Sequence, residues 1–209
     1  MRFLILIFIM GSFLANAQKS KSQVILDNLT SKMKNEKAFY IEFSANIKNS
    51  VTGLNENETG KGWVNEKKFY ASYGDNTMIS NGTKVWTIVK EEKMVYLSSI
   101  GSDEEDMNPK KLMTIWENGY SNKYLKESKL NNVPVHLIKL TPKSKDSEYS
   151  SIVLSISKKN NALKKVKLKT DDGTTMTYSL LKYNSKPSIG SEKFIYNAKK
   201  YPGYKLIRD

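Results

Sequence analysis

Apolar positions recur with two different periods along this chain. Between Ser22 and Lys34, Ile25, Leu26, Leu29 and Met33 fall at three- and four-residue spacing. That spacing places them on one stripe of a helix. Ser20 or Ser22 can cap its first turn, and Lys32 and Lys34 suit the negative end of its dipole. From Ala38 to Lys48 the period falls to two. Phe39, Ile41, Phe43, Ala45 and Ile47 then share one face of a strand, and Tyr40, Glu42, Ser44, Asn46 and Lys48 the other. Asn49 to Thr59 is polar and reads as the loop of a hairpin.

Gly60 to Leu97 reads as a meander around which the rest is organised. Trp63 and Val64 lie in its first strand, Phe69 to Tyr73 in the second and Thr77 to Ile79 in the third. Val85 to Val89 begin a fourth that bends and continues through Val95 to Leu97. Asn81-Gly82 signals a hairpin, because a type I′ turn takes positive φ at both central residues. Phe69, Ala71 and Tyr73 share one side of their strand, and an antiparallel sheet with one apolar face has to cover it.

Asn108-Pro109 opens a second predicted helix, Pro109 to Asn118, with Leu112, Met113, Ile115 and Trp116 as its apolar side and Gly119 as its stop. The acids Asp103 to Asp106 complement its N-terminus; being consecutive, they lack the alternating spacing of a calcium loop. Strands follow at Tyr124–Ser128, Val133–Leu140, Ser151–Ser157, Leu163–Thr170 and Thr174–Tyr183, with a short one at Phe194–Tyr196. Lys159-Asn160-Asn161 and Asp172-Gly173 are the turns between three of them. One face carries Ile152, Leu154, Ile156, Val166, Leu168, Met176, Tyr178 and Leu180, while Lys165, Lys167 and Lys169 occupy alternate positions. The sum is an α+β fold with a large curved antiparallel sheet of roughly ten to eleven strands and two helices.

Composition sets the address and removes chemistry. Arg2, the apolar run Phe3 to Met10 and Ala15-Asn16-Ala17 make a secretory signal peptide over residues 1–17, cleaved after Ala17. Residues 18–209 then form a single exported domain. The chain has no cysteine, so neither a disulfide framework nor a lipidated N-terminal thiol is available, and the mature protein is expected to be soluble. Net charge is +13, or +12 once Arg2 is removed, which favours anionic membrane or an acidic partner over nucleic acid. Lysines that solubilise exposed sheet edges account for the charge equally well. His136 is the only histidine and lies between Val135 and Leu137 in a strand, where a hydrogen-bonded structural role is expected. No metal set, nucleophile elbow or phosphate loop is present, so neither catalysis nor a cofactor is expected.

The ordered series of short motifs resembles the periplasmic outer-membrane lipoprotein carrier family, LolA. It runs from the signal peptide and capped helix through Phe39-Tyr40-Ile41-Glu42-Phe43, Gly62-Trp63-Val64 and Ile79-Ser80-Asn81-Gly82-Thr83-Lys84-Val85-Trp86. It continues with Asn108-Pro109, Lys139-Leu140-Thr141-Pro142 and Phe194-Ile195-Tyr196. The resemblance implies an incomplete (half) β-barrel with helices as a lid over an apolar cavity. It also implies a monomeric carrier that takes acylated lipoproteins from an inner-membrane ABC release complex to an outer-membrane acceptor. On that basis Phe39, Ile41, Phe43, Trp63, Phe69, Ala71, Tyr73 and Ile79 are the expected cavity wall, and Leu26, Leu29, Leu112 and Ile115 the lid. Well-studied members follow the Trp strand with Arg-Pro, whose Arg helps latch the lid; here Glu66 and Lys67 stand nearby instead. The alternatives are a binder of free lipid and an envelope-stress sensing or interaction module with the same fold.

Overall fold

The computed structural model describes residues 19–100 and 116–208. Among the described residues one α-helix, α1 (Lys21–Asn35), precedes twelve strands. Their ranges are β1 (Ala38–Asn49), β2 (Asn55–Asn65), β3 (Lys68–Tyr73), β4 (Asn76–Ser80), β5 (Lys84–Val89) and β6 (Met94–Ser99). Beyond residue 115 come β7 (Tyr120–Leu130), β8 (Val133–Pro142), β9 (Ser151–Ser157), β10 (Leu163–Lys169), β11 (Thr174–Asn184) and β12 (Lys205–Arg208). All belong to one sheet, in the order β12-β6-β5-β4-β3-β2-β1-β11-β10-β9-β8-β7. Two antiparallel meanders, β1 to β6 and β7 to β11, are joined through the long β1–β11 pair. The sheet is unclosed, with β7 at one edge and β12 at the other.

Local chemistry explains most of the joints. Ser20 caps α1, its side chain accepting from the Gln23 backbone N–H at 3.2 Å. Asn131 (φ 45°) and Asn132 (φ 64°) form the two-residue type I′ loop between β7 and β8, since asparagine tolerates the left-handed region. The Asn81-Gly82 hairpin forms between β4 and β5, but with a different turn. Gly82 has positive φ and Asn81 does not; instead Asn81 Oδ1 accepts from Thr83 N at 3.0 Å and Lys84 N at 2.9 Å.

Three expected boundaries move. The bent fourth strand of the meander is two strands, β5 and β6, reversed by a Lys90–Lys93 turn in which Lys93 takes φ 51°. The polar stretch before Thr59 is already strand from Asn55, because it pairs with the far half of β1. Phe194–Tyr196 is not a strand: Ser191–Phe194 forms a 3₁₀ turn that buries Phe194. The final strand is β12, which lies parallel to β6 and brings the sheet to twelve. Leu112 and Ile115, with the rest of the second predicted helix up to 115, lie outside the described residues, as does the predicted signal peptide.

Candidate functional site: the concave apolar face

Register across the sheet assembles the site. On one side of β1, Phe39 stands opposite Val64 and, through it, Phe69; Ile41 stands opposite Gly62, then Ala71, then Met78. Phe43 stands opposite Gly60 and then Tyr73. On the other side, Ala45 leads through Tyr178, Val166 and Leu154 to Ile138. Ile47 leads through Met176, Leu168 and Ile152 to Leu140. These rows form one continuous apolar face, and α1 buries Ile25, Leu26, Leu29 and Met33 in the same cluster.

The face is graded. Leu29, Phe39, Ile138, Leu140, Ile152 and Leu154 are fully buried. Phe43, Met176, Tyr178, Leu180 and Tyr183 are packed against this core but only partly covered. The Phe43 ring stacks on Tyr73 (centroids 6.1 Å, 11°) and tilts against Tyr178 (6.2 Å). Gly60 makes this possible, since a Cβ there would run into the Phe43 ring. Burial pushes the Tyr178 phenol up to about 12, with Tyr73 and Glu148 adding to it, so it stays neutral within the apolar wall. Tyr73 is raised for the same first reason, then by Glu58 and Glu56. The Tyr183 hydroxyl is buried without a hydrogen-bond partner among the described residues.

Of the eight expected wall residues, six share this face: Phe39, Ile41, Phe43, Phe69, Ala71 and Tyr73. Trp63 and Ile79 do not. Trp63 pairs with Tyr40 and Tyr70 on the convex side, with ring centroids at 4.5 and 5.5 Å, and Lys193 Nζ sits 3.9 Å from its ring. The concave positions of β2 are Gly60, Gly62 and Val64, and glycines at alternate positions concealed that parity. Ile79 is opposite Tyr70 and Trp86 and belongs to a convex cluster with Ile88 and Val95. Thr77, Met78, Ile79 and Ser80 are all buried, so alternation carries no signal in β4. Tyr183 escapes the sequence reading, which also leaves Met176, Tyr178 and Leu180 outside the wall. Their parity was legible, but only the β1–β11 pairing sets them beside Phe43.

Leu26 and Leu29, the two expected lid residues that the structure describes, lie on the buried face of α1. The helix is tied down at several points. Trp116 Nε1 donates to Thr30 Oγ1 at 2.9 Å, Asn122 Nδ2 to Gln23 Oε1 at 2.8 Å, and Lys34 pairs with Glu117 at 3.6 Å. Lys21 lies 4.1 Å over the Tyr124 ring. Glu66 and Lys67 form the β2–β3 turn: Glu66 takes φ 56° and its backbone N–H donates to Lys37 O at 2.7 Å. His136 Nδ1 and Tyr124 Oη are 3.1 Å apart, the structural role expected of it. Among the described residues no cluster of three or more His, Cys, Asp or Glu could hold a metal, and no helix is long and apolar enough to cross a membrane.

Residues 66–197 match the family model "Outer membrane lipoprotein carrier protein LolA". The chain belongs to that family. The architecture is also that of an uncharacterized conserved protein from Thermus thermophilus, at TM-score 0.56 and 11% identity, over 90% of this chain and 98% of that one. LprF from Mycobacterium bovis aligns at TM-score 0.48 and 11% identity, over 82% of this chain and 98% of that one. The LolA superfamily protein NE2245 from Nitrosomonas europaea aligns at TM-score 0.43 and 8% identity, over 85% and 99%. No curated protein sequence matches the chain.

Proposed function

We propose that this LolA-family protein is a non-enzymatic periplasmic carrier. It takes the acyl chains of lipoproteins from an inner-membrane ABC release complex, shields them on its concave face and passes them to an outer-membrane acceptor. The observation that carries the reading is the graded wall, in which a fully buried, mostly aliphatic floor adjoins the half-covered Phe43–Tyr73–Tyr178 aromatics. Each buried methylene contributes about 0.8 kcal/mol, so a lipoprotein's acyl chains represent roughly tens of kcal/mol of aqueous exposure. An open apolar face under a helix supplies the complementary surface and can release what it holds.

Phe43→Glu tests this. An ionised carboxylate among apolar rings is costly unless solvated, and Phe43 is only partly covered, so water can reach it. The variant is expected to keep its circular dichroism spectrum and to lose lipoprotein release from spheroplasts. Unfolding would make Phe43 a core residue, and a folded variant with normal release would move the binding surface elsewhere. Crosslinking followed by recovery of the bound species separates the alternatives. Acylated lipoprotein supports carriage, free lipid a lipid binder, and a protein partner with an empty cavity a sensing module.

A further inference from the structure

The tips of two hairpins meet at one end of the sheet. The β1–β2 turn, Ser50 to Leu54, is braced from within, Asn49 Oδ1 accepting from Val51 N at 2.8 Å and Thr52 N at 2.9 Å. It is clasped to the β10–β11 turn by Asn49 Nδ2 to Thr174 Oγ1 at 2.8 Å and by Ser50 N to Gly173 O at 3.3 Å. This hydrogen-bonded tip holds two aliphatic side chains out in water, Val51 at 80% and Leu54 at 40% exposure. Beside it lies an open groove of about 670 Å³ lined by Leu54, Lys48, Lys167, Lys169 and the threonines 174 and 175.

The lysines are not scattered. Lys48, Thr175 and Lys169 form one row across the convex side of the sheet, and Lys167 lies in the next row with Thr177 and Asn46. Lys139 and Lys123 extend that second row towards the β7 edge. Among the described residues no carboxylate pairs with Lys48, Lys167 or Lys169. Asp172 in the β10–β11 turn is engaged: it accepts from Thr170 Oγ1, from Thr174 N at 2.9 Å and from Thr174 Oγ1 at 3.0 Å. Asp171 beside it is exposed.

We infer that this end of the molecule is a docking surface for an anionic phospholipid bilayer. Val51 and Leu54 enter the acyl boundary, and Lys48, Lys167 and Lys169 rest on lipid phosphates. An exposed aliphatic tip beside a lysine groove matches the layering of a membrane interface, in which an apolar interior lies next to an anionic layer. A free phosphate would use the lysines and leave Val51 and Leu54 without a purpose.

The test uses purified residues 18–209, without the apolar Phe3–Met10 run, and vesicles without lipoprotein, so it reads independently of the carriage proposed above. Sedimentation should show binding to phosphatidylcholine vesicles containing phosphatidylglycerol, little binding to phosphatidylcholine alone, and release as salt rises. Each lysine near an anionic surface contributes about fivefold, so the triple variant Lys48→Ala, Lys167→Ala, Lys169→Ala should bind roughly a hundredfold more weakly. Val51→Asp, on an exposed turn, should weaken binding with an unchanged melting curve. Equal binding to neutral vesicles, wild-type binding by the triple variant, or saturation by inorganic phosphate or an acidic peptide while vesicles stay unbound would overturn the inference.

Discussion

Strands β3 to β5 bury apolar residues on both sides, and the two sides are closed in different ways. On the concave side Phe69, Ala71, Met78 and Val85 join the large cluster under α1. That cluster is mostly aliphatic, and its margin, around Phe43 and Tyr178, is only partly covered. On the convex side Ile79, Ile88 and Val95 lie under a C-terminal arm rich in tyrosine. There Trp86 stacks on Tyr196 (5.6 Å, 13°), Tyr196 on Tyr201 (5.7 Å, 9°), and Tyr201 meets Tyr204 edge-on (5.5 Å). Lys193 adds a cation over Trp63 and Tyr70, at 3.9 and 4.2 Å. Aromatic pairs and cation–π contacts are directional, so they fix one arrangement of the arm. Aliphatic contacts under a helix carry no such demand, and a partner of variable shape can replace them. Trp63 belongs to the first kind of surface although its motif suggested the second.

The sharpest test of this contrast compares Leu29→Ala with Ile88→Ala. Both side chains are 0% exposed, so each truncation should cost about 2–5 kcal/mol by chemical denaturation. Only Leu29→Ala should also change lipoprotein release, because only it loosens the concave side. Matching release defects in the two variants would erase the distinction. A smaller effect is expected from Lys193→Ala, which removes the cation from between Trp63 and Tyr70 and should cost about 0.5–2 kcal/mol. Faster proteolysis confined to residues beyond Asn184, with the rest of the sheet protected, would mark the arm as a separately closed unit.

The smallest effect concerns pH. Burial raises the Glu36 carboxyl above its ordinary value of 4.5, with Lys32 opposing, and its Oε2 is buried without a partner among the described residues. The folded state therefore holds this proton more tightly than the unfolded state. The stability it provides is complete below pH 4.5 and is lost as pH rises through the elevated folded value. Glu36→Gln should flatten the stability profile over that window, and an unchanged slope would place the carboxylate in water.

The class of the fold and the parity of most strands were legible in the order of the residues. Alternation in β1, β9 and β10 and the stripe Ile25, Leu26, Leu29, Met33 are local signals set by backbone geometry, and each points to the side where the structure buries it. Side-chain size misled where the inward positions of β2 were glycine. Burial of consecutive residues left β4 without a readable face. Long-range pairing settled the rest: β1 pairs with β11, setting Tyr178 and Tyr183 beside the first strand, and the tail becomes a tyrosine seal ending in β12. These are contacts between residues more than a hundred positions apart. A strand's own sequence states that it has an apolar side, but not which distant segment will cover it.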